Sequence, residues 1–185
     1  MNKNIQIQIC KDIYRFYGKE KLNIREKLLM ENELKYIILY RKVNGVNNKL
    51  LKIYYRFRLY LMSRRTMIQI PHKTKIGDGF YIGHCGRIII NHNAIIGKNV
   101  NISTGVTIGK TNRGKNAGVP IIGDKVWIGT NAVVVGKIKI GNNVLIAPNS
   151  YVNFDVPDNS IVIGNPGVIK SKINAVDGYI CNCIE

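Results

Sequence analysis

From Ile76 onward, aliphatic residues return at a fixed interval: Ile76, Ile82, Ile88, then Ile96, Ile102, Ile108, then Ile122, Ile128, Val134, Ile140, Ile146 and Val152. The spacings are 6, 6, 8, 6, 6, 14, 6, 6, 6, 6 and 6. Neither the helical period of 3.6 nor plain alternation holds a register of six over such a distance. A small residue often follows the aliphatic one, as in Ile76-Gly77, Ile96-Gly97 and Ile146-Ala147, and a small or β-branched residue often stands four places on, as in Val100, Val126 and Ser150. A six-residue unit joins a short strand to a sharp turn. Three such units close a triangular coil whose aliphatic residues stack on those of the next coil. The repeat therefore predicts a mainly β chain built as a parallel β-helix. Its twelve hexads correspond to about four coils, about 20 Å tall at about 4.8 Å per coil.

Two departures from the period are informative. Two extra residues fall between Ile88 and Ile96, and eight between Ile108 and Ile122. Insertions into a solenoid are extruded as loops, often on the functional face. The second, residues 110–119 (KTNRGKNAGV), is basic and rich in Gly and Asn, which predicts an exposed loop.

Before the repeat the pattern is helical. Residues 24–40 place Leu28, Leu29, Leu34, Ile37 and Ile38 on one helical face with charges between them. Residues 43–48 (VNGVNN) read as a turn, and residues 49–65 (KLLKIYYRFRLYLMSRR) as a further helix. Two or three helices are expected. The organisation is thus an α-helical segment over 1–67, the β-helix over 68–170 and a tail over 171–185. The helices and the segment after Val156 are expected to cap the prism.

Composition narrows the class. At 45% hydrophobic and 21% charged residues, the 185-residue chain has enough apolar side chain for one core. No stretch is long and apolar enough to span a bilayer, and the amino terminus lacks a signal-peptide core, so a cytoplasmic location is expected. The net charge of +17 attracts polyanions without choosing among them, and a solvated basic surface is the rival explanation. Residues 41–65 carry eight basic residues and no acidic one, which raises the hypothesis of a peripheral contact with anionic membrane at its inner face. The four cysteines form no disulfide framework, and the single Cys181-x-Cys183 supplies half of a zinc site at most, so no metal is expected.

The segments Ile76-Gly-Asp-Gly-Phe-Tyr-Ile-Gly-His84-Cys-Gly-Arg-Ile-Ile-Ile-Asn91, Gly105-Val-Thr-Ile-Gly109, Val126-Trp-Ile-Gly129-Thr-Asn-Ala132 and Val156-Pro-Asp-Asn-Ser-Ile-Val-Ile-Gly164-Asn-Pro166 carry a resemblance. Over residues 68–170 the chain resembles the hexapeptide-repeat acyltransferases with a left-handed parallel β-helix, in their serine acetyltransferase-like branch. Within that branch it looks most like the colanic-acid and capsular-polysaccharide O-acetyltransferases. The resemblance implies acetyl-CoA as donor, a homotrimer with active sites between prisms, and His84 as general base. Imidazole changes charge near neutral pH, so it suits removal of a proton from an acceptor hydroxyl. Without the resemblance, a lone histidine in a Gly-rich turn reads as a solvated surface residue.

His92, inside the first insertion, could line the same cleft, and His72 reads as structural or exposed. Cys85 beside His84 invites a Cys-His nucleophile reading, against which neighbouring residues of an extended segment point to different sides. In the serine enzymes the resemblance implies an acidic residue orienting the histidine, another just before it, and a second histidine before a proline in the long loop. Here those positions hold Gln69, Gly83 and Val119. A neutral, roomier site disfavours a zwitterion and suits a sugar. The expected function is therefore acetyl transfer to a saccharide hydroxyl in surface-polysaccharide biosynthesis, with serine or another small molecule as the alternative acceptor. Gln69, Gly83, His92 and Arg113 are the expected acceptor contacts. By the same resemblance Gly109, Lys110, Thr130, Ala147 and Pro148 match the pantetheine wall, and an N–H near Gly109 could stabilise the oxyanion. The displaced base beyond Pro166 is assigned to Lys170, with Lys172 as the other candidate. A non-catalytic scaffold or nucleic-acid-binding β-helix is the reading from another class. It rests on the Tyr54-Tyr55-Arg56-Phe57-Arg58 run, whose aromatics are expected instead to pack against the prism, so no specific nucleic acid is assigned.

Overall fold

A computed structural model describes residues 3–185; Met1 and Asn2, at the start of the expected helical segment, lie outside the described residues. Four helices come first: α1 (Lys3–Tyr17), α2 (Ile24–Leu29), α3 (Asn32–Gly45) and α4 (Lys49–Thr66). Local chemistry sets their limits. Asn23 and Glu26 form a reciprocal capping box at the start of α2, and Asn48 accepts from the Leu51 N–H at the start of α4. The turn expected over residues 43–48 is confined to 46–48, because α3 continues through Gly45 before the chain breaks into α4.

Fifteen short strands, numbered in chain order, make three faces of a prism. The first face stacks β1 (Ile68–Gln69), β4 (Ile88–Ile90), β7 (Thr107–Gly109), β10 (Val133–Val135) and β13 (Tyr151–Val152). The second holds β2 (Lys75–Ile76), β5 (Ile95–Ile96), β8 (Ile121–Ile122) and β11 (Lys139–Ile140). The third runs through β3 (Tyr81–Ile82), β6 (Asn101–Ile102), β9 (Val126–Ile128), β12 (Val144–Ile146), β14 (Ser160–Ile163) and the antiparallel β15 (Val168–Ser171). All other pairings are parallel, and the hexad aliphatics fall in register, as in Ile82↔Ile102 and Ile102↔Ile128. They form one buried column through the prism.

The solenoid has about five turns where the hexad count predicts four. The difference lies at the ends: Ile68 opens a coil before the first counted hexad, and Val156 and Val162 continue the column after Val152.

The helices close the first coil. Tyr36, Ile37, Tyr40 and Val43 of α3 are buried in the same cluster as Ile68, Ile76 and Phe80. A buried ion pair joins them: Arg41 Nε donates to Asp12 Oδ2 at 2.8 Å, while the same guanidinium donates to the Ile76 and Gly77 carbonyls at 2.7 and 2.6 Å. Asp12 Oδ1 accepts the Phe80 N–H at 3.0 Å, so α1, α3 and the first coil share one network.

The tail does not cap the far end. After β15 it runs back along the third face, with the Tyr179 ring 4.8 Å from Trp127 and the Ile184 N–H donating to Asn99 at 3.0 Å. The aromatics of α4 also depart from expectation. Tyr55 packs against the core, whereas Tyr54 and Phe57 face outward. The helix is apolar on two opposite sides, and its composition does not reveal which side is buried.

Candidate active site

His84 sits in the turn at residues 83–87, where the chain leaves β3 on the third face and enters β4 on the first. The side chain is exposed. Gly86 makes the turn possible. Its φ of +145° is costly for residues with a Cβ, and a Cβ there would come within 2.0 Å of Thr104 Oγ1 on the next coil.

An acidic group reaches this turn from a distance. Glu33, in the first turn of α3, accepts the Cys85 backbone N–H, which ties the helix to the residue after His84. The Cys85 thiol feels the same environment: burial first, then the hydrogen bond and charge of Glu33, push it up to about 12, and Arg65 opposes them. Both causes favour the neutral thiol, which argues against the nucleophile reading. Glu33 and Arg65 thus set both signs of charge beside the His84 turn. Sequence reasoning missed both, because each belongs to a helix with no phase relation to the repeat.

Coil stacking assigns the expected donor contacts to two edges. The Gly83 N–H donates to Ile102 O, Ser103 to Ile128 O, Gly129 to Ile146 O and Ala147 to Val162 O, at 3.0, 3.0, 2.8 and 2.8 Å. Thr130, Ala147 and Pro148 therefore lie on the edge that carries Gly83 and His84, on higher coils. Gly109 ends β7 at the opposite side of the first face, and Lys110 follows it. They share that other edge with His92 and the 110–119 loop, since Asn91 N–H donates to Ile108 O at 2.8 Å. The loop is exposed as expected, with Arg113 at its tip, and is closed by paired Thr111–Gly118 backbone bonds of 2.9 Å. His92 and Arg113 are thus not brought beside His84 within one chain.

Gln69 lies elsewhere again. It lines a cleft of about 320 Å³ with Tyr36, Arg56, Tyr60, Ser63 and His72, between α4 and the first coil. Among the described residues no hydrogen bond joins it to the imidazole of His84. Lys170 is exposed on β15, whereas Lys172 lines a groove of about 640 Å³ whose walls include Trp127, Ala147, Pro148, Ile163 and Tyr179. That groove adjoins the expected pantetheine wall, so Lys172 is the better placed base. Among the described residues no group of three or more His, Cys, Asp or Glu side chains could hold a metal ion, and no helix is long and apolar enough to cross a membrane.

Known proteins resemble this arrangement. A family model described as bacterial transferase hexapeptide (six repeats) matches residues 120–153. The fold shared with these proteins is a left-handed β-helix of hexapeptide repeats. The serine acetyltransferase of Staphylococcus aureus (strain Mu50 / ATCC 700699) is 43% identical to the hexapeptide chain over 107 residues, 58% of this chain and 50% of the relative. The crystal structure of Neisseria gonorrhoeae serine acetyltransferase covers 92% of this chain and 67% of its own at a TM-score of 0.76 and 27% identity. A serine acetyltransferase in complex with CoA superposes at a TM-score of 0.71 and 25% identity, covering 90% of this chain and 68% of its own. The hexapeptide chain spans about half the length of the curated relatives it matches. These proteins are named for serine, so the narrower resemblance to polysaccharide enzymes finds no support among them.

Proposed function

We propose that this chain is an acetyl-CoA-dependent O-acetyltransferase with His84 as general base, and that its acceptor is the hydroxyl of serine or a similar small zwitterion. The observation that carries the acceptor is Glu33 docked at the residue after His84, with Arg65 near the same thiol. A zwitterion needs an anion for its ammonium and a cation for its carboxylate. The neutral Gln69, Gly83 and Val119 argue against such an acceptor only while the helices are left out. The names of the matched relatives support the same choice.

In this reading His84 takes the hydroxyl proton as the alkoxide oxygen attacks the thioester carbonyl. The carbon–sulfur bond of the tetrahedral intermediate then breaks, and the departing CoA thiolate takes the proton back from the imidazolium. General-base assistance of this kind contributes roughly 10²- to 10⁴-fold. Thr130, Ala147 and Pro148 would line the donor, with Lys172 toward its phosphates. Gly109 and Lys110 lie on a different edge from His84, so a homotrimer, in which a neighbouring prism presents that edge, is part of the proposal.

A saccharide acceptor is the second reading. It is favoured by Gly83, where a Cβ would have only Tyr81 Cε1 at 3.9 Å as a neighbour, so the space at Gly83, next to His84, is open. The test is acceptor-dependent release of the CoA thiol from acetyl-CoA with serine and a glycan panel. Serine-dependent release supports the leading reading, glycan-only release transfers the assignment to the second, and release with neither overturns both.

A further inference from the structure

The prism side of α4 is accounted for, but its outer side is not. Lys52, Tyr55, Leu59, Met62, Ser63 and Thr66 are wholly or partly buried. Spaced three and four apart on the opposite side, Leu50, Ile53, Tyr54, Phe57, Tyr60 and Leu61 are exposed, with Leu50 at 79%, Ile53 at 63% and Phe57 at 58%. Helical spacing sets Lys49 and Arg56 along one margin of this stripe, Arg58 along the other, and Arg64 at its carboxyl end. Tyr54 keeps its hydroxyl occupied by Arg58 Nη1 at 2.7 Å.

Charge identifies the occupant. The eighteen residues of α4 contain six bases and no acid, and no acidic residue occurs anywhere from Leu34 to Gly77. A second α4 brought against the first would set six bases against six. An apolar stripe with aromatic residues, margined on both sides by Lys and Arg, matches the chemistry of a helix lying in the headgroup boundary of an anionic bilayer. The cleft beside the stripe adds to the field: His72 is held below its ordinary range by burial and by the nearby cations Arg56, Lys73 and Lys52. Arg56 and Tyr60 line that cleft, so a phosphate headgroup would meet guanidinium and phenol donors there, while the Ser63 hydroxyl already donates to the Ile68 carbonyl.

We propose that the outer face of α4 is a docking surface for anionic phospholipid bilayer, with Leu50, Ile53, Phe57 and Leu61 entering the headgroup boundary and the flanking bases neutralised by lipid phosphate. The surface is independent of which hydroxyl is acetylated. Nothing in it crosses the bilayer, so attachment is reversible and sensitive to salt.

The test is sedimentation of the full chain with vesicles of phosphatidylcholine alone and of equal parts phosphatidylcholine and phosphatidylglycerol. Binding is expected to the anionic vesicles only, and to fall about fivefold for each base removed, hence about twenty-five-fold in Arg56→Gln with Arg58→Gln. Phe57→Ser is expected to weaken binding as well, with unchanged thermal unfolding and unchanged CoA release in the absence of vesicles. In Phe57→Cys carrying a polarity-sensitive fluorophore, emission should shift to the blue only when anionic vesicles are added. Equal sedimentation with both vesicles, or with neither, overturns the proposal. So does a blue shift in protein alone, which would mean that another copy covers the face.

Discussion

The Glu33 carboxylate accepts the Cys85 backbone N–H across 52 positions of sequence, and so pins α3 to the turn that carries His84. Replacing it separates a structural from a recognition role. In Glu33→Gln an amide oxygen remains to accept the N–H, while the negative charge is lost. If the carboxylate receives the ammonium of the acceptor, the loss of a charged hydrogen bond, about 1.5 to 3 kcal/mol, should lower kcat/KM for serine by roughly 10- to 100-fold. Thermal unfolding should change little. Steady-state kinetics with serine and with an uncharged alcohol provide the check, since only the zwitterion should respond.

Cys85 provides a pH prediction. Its folded-state pKa of about 12 lies above the ordinary thiol value because burial and Glu33 both disfavour the thiolate. The neutral thiol therefore persists through mildly alkaline pH, and the side chain should resist alkylation there while the exposed Cys181 and Cys183 react. Peptide mapping after iodoacetamide treatment at pH 8 checks this. Cys85→Ala should retain turnover, since the thiol takes no part in the chemistry.

Asp12 and Arg41 are 0% and 3% exposed, and their pairing holds α1 and α3 on the first coil. Removal of one charge leaves the other buried without its partner. Asp12→Asn should destabilise the chain by roughly 3 to 5 kcal/mol, read from denaturant midpoints.

The glycines of the repeat separate tight from open positions. A Cβ on Gly97 would lie 2.3 Å from Asp124 Oδ1 and 2.5 Å from the Gly123 carbonyl, within the next coil. Gly97→Ala should therefore cost about 1 to 3 kcal/mol, as overpacking does. Gly83→Ala, with 3.9 Å of clearance, should leave stability within about 0.5 kcal/mol. Paired unfolding curves of the two variants test the coil spacing.

The prism was legible because every coil repeats one demand: an aliphatic residue inside, such as Ile82, Ile102 and Ile128, followed by a residue small enough for close stacking. The register also places His84 at a turn between two faces, but the single donor wall that the resemblance implies for Gly109, Lys110, Thr130, Ala147 and Pro148 divides between two edges, with Gly109 and Lys110 on the other one. Glu33, Arg65 and the Asp12–Arg41 pair were not legible, because helix-to-coil contacts are set by three-dimensional docking and leave no periodic trace. The outward side of α4 was misread for a related reason. Tyr54, Tyr55 and Phe57 are equally apolar, and only the docking angle decides that Tyr55 turns inward.

His84 holds the central place in the proposed chemistry, and acceptor-dependent release of CoA thiol by His84→Ala tests that place most directly. The account predicts a fall of roughly 10²- to 10⁴-fold against the unaltered chain, with the fold intact by circular dichroism. Turnover equal to that of the unaltered chain would contradict it.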